Sequence, residues 1–432
     1  MSFVIWIIAA IFSLLGAVCY AELGTTIESS GGDYSYIYEL YGSFWAFLQM
    51  HVNVFVIQPS LHAIISLTIA QYLLSPFLLY CEEVDSAYKL LAICCLTLAA
   101  ALNIRNFPKA SNYIDGCSFT RLAILFVMIS LSLLFLTCGH TKNFWDPFVN
   151  SNTNLLNLTL AFFYAVFAFS GFNSANIVSD EIINVDRNLP LAIFLSLPCI
   201  IGLYFLTNIA YVTALPINIL SHYSQSALYF SNEYFGFLYF VIPFSVAVAN
   251  FGYLSSSIMS AARICAWCSK NGHYPKILSL VNSDFNSPTV SILFTTFLAS
   301  IMALCCDVYT LISYTSFAFY TIVNACVIGM LHLRYKRPFI RRPIKIPIIF
   351  PIVYTIMCSS FCFVLIISDF FTCLVAIFVS AIGVPLYVLF YKFSHCFQFL
   401  QIASEYLTQF CQLVCKSNFE STHYISNENI LF

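Results

Sequence analysis

FFYAVFAFSGFNSANIVSDE (162–181) is the stretch on which the reading of this chain turns. It opens as an unbroken apolar run and then becomes small and polar at Ser170-Gly171, Asn173 and Asn176. A half-buried strand would alternate apolar and polar residues, and this segment does not. Small and polar residues at mid-membrane depth permit a helix to unwind locally, freeing carbonyls and amides to bind a ligand. Phe167, Phe169 and Phe172 flank that point and could close over a bound solute. Two readings of Ser170-Gly171 stand side by side: a break that forms a substrate site, or a close helix-packing contact.

The rest of the chain has the same apolar character. Of 432 residues, 60% are apolar and 8% charged, with a mean hydropathy of +0.87. A soluble domain needs roughly 25% charge, so the solvent around most of this chain is lipid. Only helices and closed barrels satisfy the backbone in hydrocarbon, and a helix needs about 20 apolar residues to cross. The apolar runs have that length and are continuous, which predicts an all-α integral membrane bundle. Eleven spans are expected, near 3–23, 44–74, 88–104, 119–138, 155–179, 189–213, 234–262, 288–306, 309–333, 346–368 and 371–391. They define a transmembrane unit over 1–392 and a cytoplasmic tail over 393–432. The tail keeps helical periodicity through Leu400, Ala403, Leu407, Phe410 and Val414, and either lies along the inner membrane face or is frayed. The sequence contains no nucleotide-binding glycine loop, metal-ligand set or nucleophile–base arrangement. No enzyme activity, cofactor, metal or nucleic-acid partner is therefore expected.

Lysine and arginine set the orientation, because they accumulate on the cytoplasmic side. Fifteen of the 17 basic residues fall at one face, including the cluster Arg334, Lys336, Arg337, Arg341, Arg342 and Lys345. That face is cytoplasmic, which puts Met1 outside and the C-terminus inside. Transporter bundles are commonly built from repeats of equal helix number. An outer start and an odd span count therefore read as a chain that begins inside the second helix of twelve.

Other residues invite a reading of their own. Glu22, at the inner end of the first span, and Glu28 beyond it are expected to be solvated at the interface. His51 and Gln58 lie in the long second span, with Pro59 as a kink; a packing histidine is preferred to a proton relay. Arg121 opens the fourth span, either snorkelling to water or reaching inward as a fixed cation. Asn250 and Ser255-Ser256-Ser257 in the seventh span either coordinate a cation or bond back to their own helix. Cys265 and Cys268 have the spacing of a redox or metal pair, but no second pair accompanies them, and packing is preferred. The sequon Asn157-Leu-Thr159 is a weak glycosylation signal at the outer boundary.

Longer strings carry a resemblance. GAVCYAELGTTIESSGGDYSYIYELYG (16–42), NIVSDEIINVDRNLPLAI (176–193), ARICAWCSKNGHYPKIL (262–278) and IGMLHLRYKRPFIRRPIKI (328–346) resemble the L-type amino-acid transporters. These are light chains of heteromeric amino-acid transporters within the amino acid–polyamine–organocation superfamily. The similarity runs in order over about 1–392.

The resemblance implies a pseudo-symmetric five-plus-five helix core with two further helices, lacking here the first span. It implies a multi-pass antiporter, at the plasma membrane, exchanging neutral or cationic amino acids without sodium. It makes Phe167 the gating aromatic, with Ala168, Phe169, Ser170 and Asn173 beside it in the substrate pocket. It makes Arg121 the stand-in for the sodium of related symporters, where the family typically has lysine. Cys81, in the outer loop CEEVD, would form the disulfide to a single-span glycoprotein heavy chain, and an outer loop is an oxidising setting. The family usually has glycine where Ser170 stands, tryptophan where Phe172 stands and arginine where Gln58 stands. The Gly-Ser-Gly-type break of the family's first helix, which holds the substrate carboxylate at a helix N-terminus, has no counterpart here. The alternative function is a membrane subunit or isoform that does not transport.

Overall fold

In a computed structural model of the chain, the described residues are 1–27, 31–78, 85–105, 107–137, 154–177, 179, 182–216, 220, 226–270, 273–285, 287–388, 398–415 and 417–418. Among them, seven helices are long and apolar enough to cross a membrane: Ser2–Thr26, Ser43–Phe77, Asp85–Arg105, Val185–Ala214, Val241–Lys270, Val308–Lys336 and Ile349–Ser368. Shorter apolar helices at Leu122–Thr137, Leu155–Ala168, Thr289–Cys305 and Cys373–Tyr387 lie at the remaining expected spans. The protein is an all-α membrane bundle.

In chain order the elements are α1 (Ser2–Thr26), α2 (Asp33–Tyr41), α3 (Ser43–Val52) and α4 (Gln58–Leu78). They continue as α5 (Asp85–Arg105), α6 (Phe107–Thr137), α7 (Leu155–Ala168), α8 (Ser174–Ile177) and α9 (Val185–Ala214). Next come α10 (Ser226–Phe235), α11 (Val241–Lys270), α12 (Thr289–Cys305) and α13 (Val308–Lys336). The last are α14 (Ile349–Ser368), α15 (Phe370–Tyr387) and α16 (Gln398–Cys415). A π turn at Asn53–Ile57 joins α3 to α4. It ends just before Gln58-Pro59, where the proline has no N–H to give and its ring crowds the preceding turn.

Of four clusters of buried hydrophobic residues among the described residues, two large ones organise the bundle. The first joins α1, α7, α9, α13 and α14 through large rings, among them Phe12, Tyr20, Phe162, Phe169, Tyr320 and Tyr354. The second joins α4, α5, α11 and α12 and is rich in alanine: Ala92, Ala99, Ala262, Ala299 and Ala303 are all fully buried. Lipid gives helices little hydrophobic reason to associate, so small side chains that let backbones approach are how such a core holds. The outward faces carry Leu195, Phe297, Phe363, Ile367 and Phe371, all exposed, as a lipid-facing surface requires.

The C-terminal helix α16 is present, and a two-residue antiparallel ladder that the sequence reading did not anticipate fastens its end. Val281 pairs with Asn418 and Asn282 with Ser417, and the Asn282 amide donates to the Cys415 carbonyl at 2.7 Å.

Candidate functional site

The span expected over 155–179 is interrupted at Ser170-Gly171. Helix α7 stops at Ala168, residues 169–173 form turns, and helix resumes at Ser174. Gly171 sits at φ +100°, a region side chains with a Cβ rarely enter, which places the reversal of the backbone at this glycine. Around the break, Ser170, Gly171 and Ser174 are exposed, while Phe169, Phe172, Asn173 and Asn176 are buried.

Ending a helix leaves its last carbonyls without amide partners. Some of them find substitutes here. Val166 O accepts from the Phe169 amide at 3.0 Å and from the Tyr320 hydroxyl at 3.2 Å. Phe167 O accepts from the Ser170 hydroxyl at 2.7 Å and from its amide at 3.2 Å. Among the described residues the carbonyls of Ala168, Phe169 and Ser170 accept no backbone hydrogen bond. A set of acceptors beside exposed small residues suits an ammonium group.

The three phenylalanines of the break separate. Phe169 is packed edge-on against Trp6 of α1 and Tyr204 of α9, with centroids 5.4 Å apart in each case. Phe172 lies against Tyr20 at 5.5 Å. Both belong to the first core. Phe167 is half-buried and packs instead against the second. The break thus places neighbouring side chains of one segment in the first core and against the second.

The segment after the break is tied to the loop that follows α1. The Asn173 amide donates to Asp33 Oδ2 at 3.0 Å, and the Tyr20 hydroxyl donates to Asp33 Oδ1 at 2.6 Å. The Asn176 amide donates to the Tyr20 carbonyl at 2.9 Å, and the Gly31 amide to the Ile177 carbonyl at 3.3 Å. Burial holds the Asp33 carboxyl above its ordinary range, although the two donors pull it down. Asn173 is thus a structural tie as well as a candidate pocket residue. The reading from sequence alone missed Asp33 and Tyr20 as its anchors, although both lie inside the 16–42 string.

A buried ion-pair cluster closes the cytoplasmic side and corrects the expectation for Glu22. Its side chain is inaccessible rather than solvated. It accepts from Arg334 Nε at 2.9 Å, from Arg334 Nη2 and from the Ile346 amide at 3.0 Å. Arg342 Nε stands 3.9 Å away. The same loop pairs Arg337 with Glu39 of α2 at 2.9 Å and Arg341 with Asp186 of α9 at 2.7 Å.

The three serines of α11 do not converge on a common point. Ser255 Oγ accepts from the Asn103 amide at 3.0 Å, Ser256 donates to its own helix at Tyr253 O, and Ser257 Oγ lies 3.0 Å from His62 Nε2. His51 is a buried packing residue, with Nε2 3.2 Å from Val379 O and its ring 4.6 Å from that of Phe55. Cys265 and Cys268 are buried among Met50, Val54, Tyr274 and Leu278. Thr159 of the sequon is buried within α7 and bonded to Leu155 O, which gives a glycosylating enzyme no extended sequon to act on. Arg121 lies on α6 with its side chain outside the described residues, as do Cys81 and Glu28 altogether.

The model of the amino acid permease family matches residues 1–394. The Homo sapiens cystine/glutamate transporter is 32% identical over 414 residues, covering 96% of this chain and 83% of that relative. The large neutral amino acids transporter small subunit 2 of Oryctolagus cuniculus is 32% identical, over 95% of this chain and 78% of its own length. The Homo sapiens Asc-type amino acid transporter 1 is 32% identical, over 89% and 74%.

Proposed function

The chain belongs to the amino acid permease family and within it to the L-type transporters, and from that premise we propose that it exchanges neutral or cationic L-amino acids across the plasma membrane without sodium. The observation that carries the proposal is the interrupted helix at 168–173, with uncapped carbonyls next to exposed Ser170 and Gly171. The substrate ammonium meets the carbonyls of Ala168, Phe169 and Ser170. Phe167, packed against the second core, closes the outer path as the halves rock about this site. Ser170 and Asn173 border the pocket, and Asn173 also holds the lower half-helix to Asp33. The dispersed partners of Ser255, Ser256 and Ser257 favour sodium independence. Arg121, as a fixed cation, takes the place of a coupling ion. Residues 1–392 form the transporting unit and 393–432 the cytoplasmic tail. Similarity to a transporter small subunit supports a two-chain assembly, in which this chain is the light chain and Cys81 bonds to a single-span glycoprotein.

The test is uptake of labelled neutral, cationic and anionic amino acids by cells expressing the chain with such a heavy chain. Uptake should persist when choline replaces sodium, and preloaded label should leave faster when external substrate is added. Sodium-dependent uptake, or efflux indifferent to external substrate, would refute exchange of this kind.

A further inference from the structure

The turn between α13 and α14 carries more positive charge than the protein neutralises. Six cations, Arg334, Lys336, Arg337, Arg341, Arg342 and Lys345, fall within 334–345. Three carboxylates meet them: Glu22 at Arg334 and Arg342, Glu39 at Arg337, and Asp186 at Arg341. Six cations against three carboxylates leave a surplus of three. Lys336 and Lys345 are exposed and have no ion pair among the described residues.

The turn is also built, and it presents rings. Arg342 donates to Leu333 O at 3.4 Å, to Arg337 O at 3.0 Å and to Pro338 O at 3.2 Å, and Arg334 donates to Ile346 O at 2.9 Å. The two arginines nearest Glu22 thus hold the turn to the end of α13. Tyr335 and Phe339 are left 89% and 99% exposed among the remaining cations. Moving such rings into an apolar phase is favourable, and aromatic side chains collect at the membrane interface.

Both ends of the turn run into surface that faces lipid. Ile328, His332 and Tyr335 are exposed at intervals of four and three, so Tyr335 extends the outward stripe of α13. Ile348, Ile349, Ile352 and Ile356 are exposed on the other side, along α14. The excess of basic residues puts this turn on the cytoplasmic face, where the leaflet is rich in anionic lipid and attracts basic clusters next to a span.

We propose that residues 335–345 dock on the anionic inner leaflet. Tyr335 and Phe339 sit at headgroup level, and Lys336 and Lys345 draw the headgroups of anionic glycerophospholipids. An acidic protein segment would match the charge, but it would not account for the continuity of the turn with the lipid-facing sides of α13 and α14.

Photolabelling of the full chain reconstituted in phosphatidylcholine vesicles tests this. The probe is a trace of phosphatidylserine, or of phosphatidylcholine, with a diazirine in the acyl chain near the glycerol. Both should form adducts within 335–345, and the serine lipid should exceed the choline lipid there about fivefold at low salt. Added salt should shrink that excess, because exposed charges are screened. Lys336→Gln/Lys345→Gln should bring the ratio near one while the elution volume on size exclusion is kept. Phe339→Ser should lower labelling by both probes and leave their ratio unchanged. Labelling that spares 335–345 overturns the proposal and makes a protein segment the cover. Equal labelling of the wild-type chain by the two probes overturns it as well, as does a preference that survives the loss of both lysines.

Discussion

Phe167, Phe169 and Phe172 are indistinguishable by residue type, and their surroundings give them different work. Phe169 is 1% exposed between Trp6 and Tyr204, so truncation there removes buried aromatic area and leaves a cavity. Phe169→Ala should cost about 3–5 kcal/mol and appear first as lost surface expression. Phe167 is only half-buried, so truncation there removes less packing. Phe167→Ala should abolish uptake of neutral amino acids while cell-surface biotinylation stays at the wild-type level. Unchanged uptake would remove Phe167 from the gate. The sequence made the break legible, because Gly171 beside serine and asparagine is unusual at that depth. It left open which ring faces which core, since the deciding partners, Trp6 and Tyr204, lie far away along the chain.

Among elements, the cytoplasmic ends of α1 and α13 are joined by one buried carboxylate–guanidinium pair. The Glu22 and Arg334 side chains are 1% and 10% exposed, against 45% and 55% for Glu39 and Arg337. Removing one partner of a buried pair strands a charge and costs about 3–5 kcal/mol, whereas an exposed pair is worth about 0–1 kcal/mol. Glu22→Gln and Arg334→Met should therefore each lower the melting temperature of the solubilised protein by several degrees, and Arg337→Met should leave it unchanged. Equal shifts in all three would mean that Glu22 is solvated after all. The spans themselves were readable, since long apolar runs have one solution in lipid. Glu22 was misread because a carboxylate at a helix end is ordinarily wet. Nothing local announces that a basic loop some 300 residues later folds back over it, and the short ladder that fastens α16 depends on another contact remote in sequence.

At the scale of the whole molecule, sidedness decides what can be covalently joined to it. The cytoplasm keeps thiols reduced, so only a cysteine on the outer face can hold a lasting disulfide. The distribution of positive charge assigns the segments 79–84 and 138–153 to the outer side, and they contain Cys81 and Cys138. Cys305 and Cys306 lie at the outer end of α12, where Cys306 is half-buried. Cysteines on the helices below, such as Cys19, Cys326 and Cys358, are buried in the first core and out of reach of a partner chain. Within 79–84, Cys81 has the acidic sequence neighbours Glu82 and Glu83 and no second cysteine, and it is the cysteine proposed above to join the heavy chain. On a non-reducing gel, Cys81→Ser should therefore convert a high-mass heavy-chain band to the monomer, with uptake reduced in proportion to lost surface delivery. Persistence of the band in Cys81→Ser and its loss in Cys138→Ser would move the junction to the next outer loop. A band that survives both changes would leave the exposed Cys305 at the end of α12 as the linked thiol.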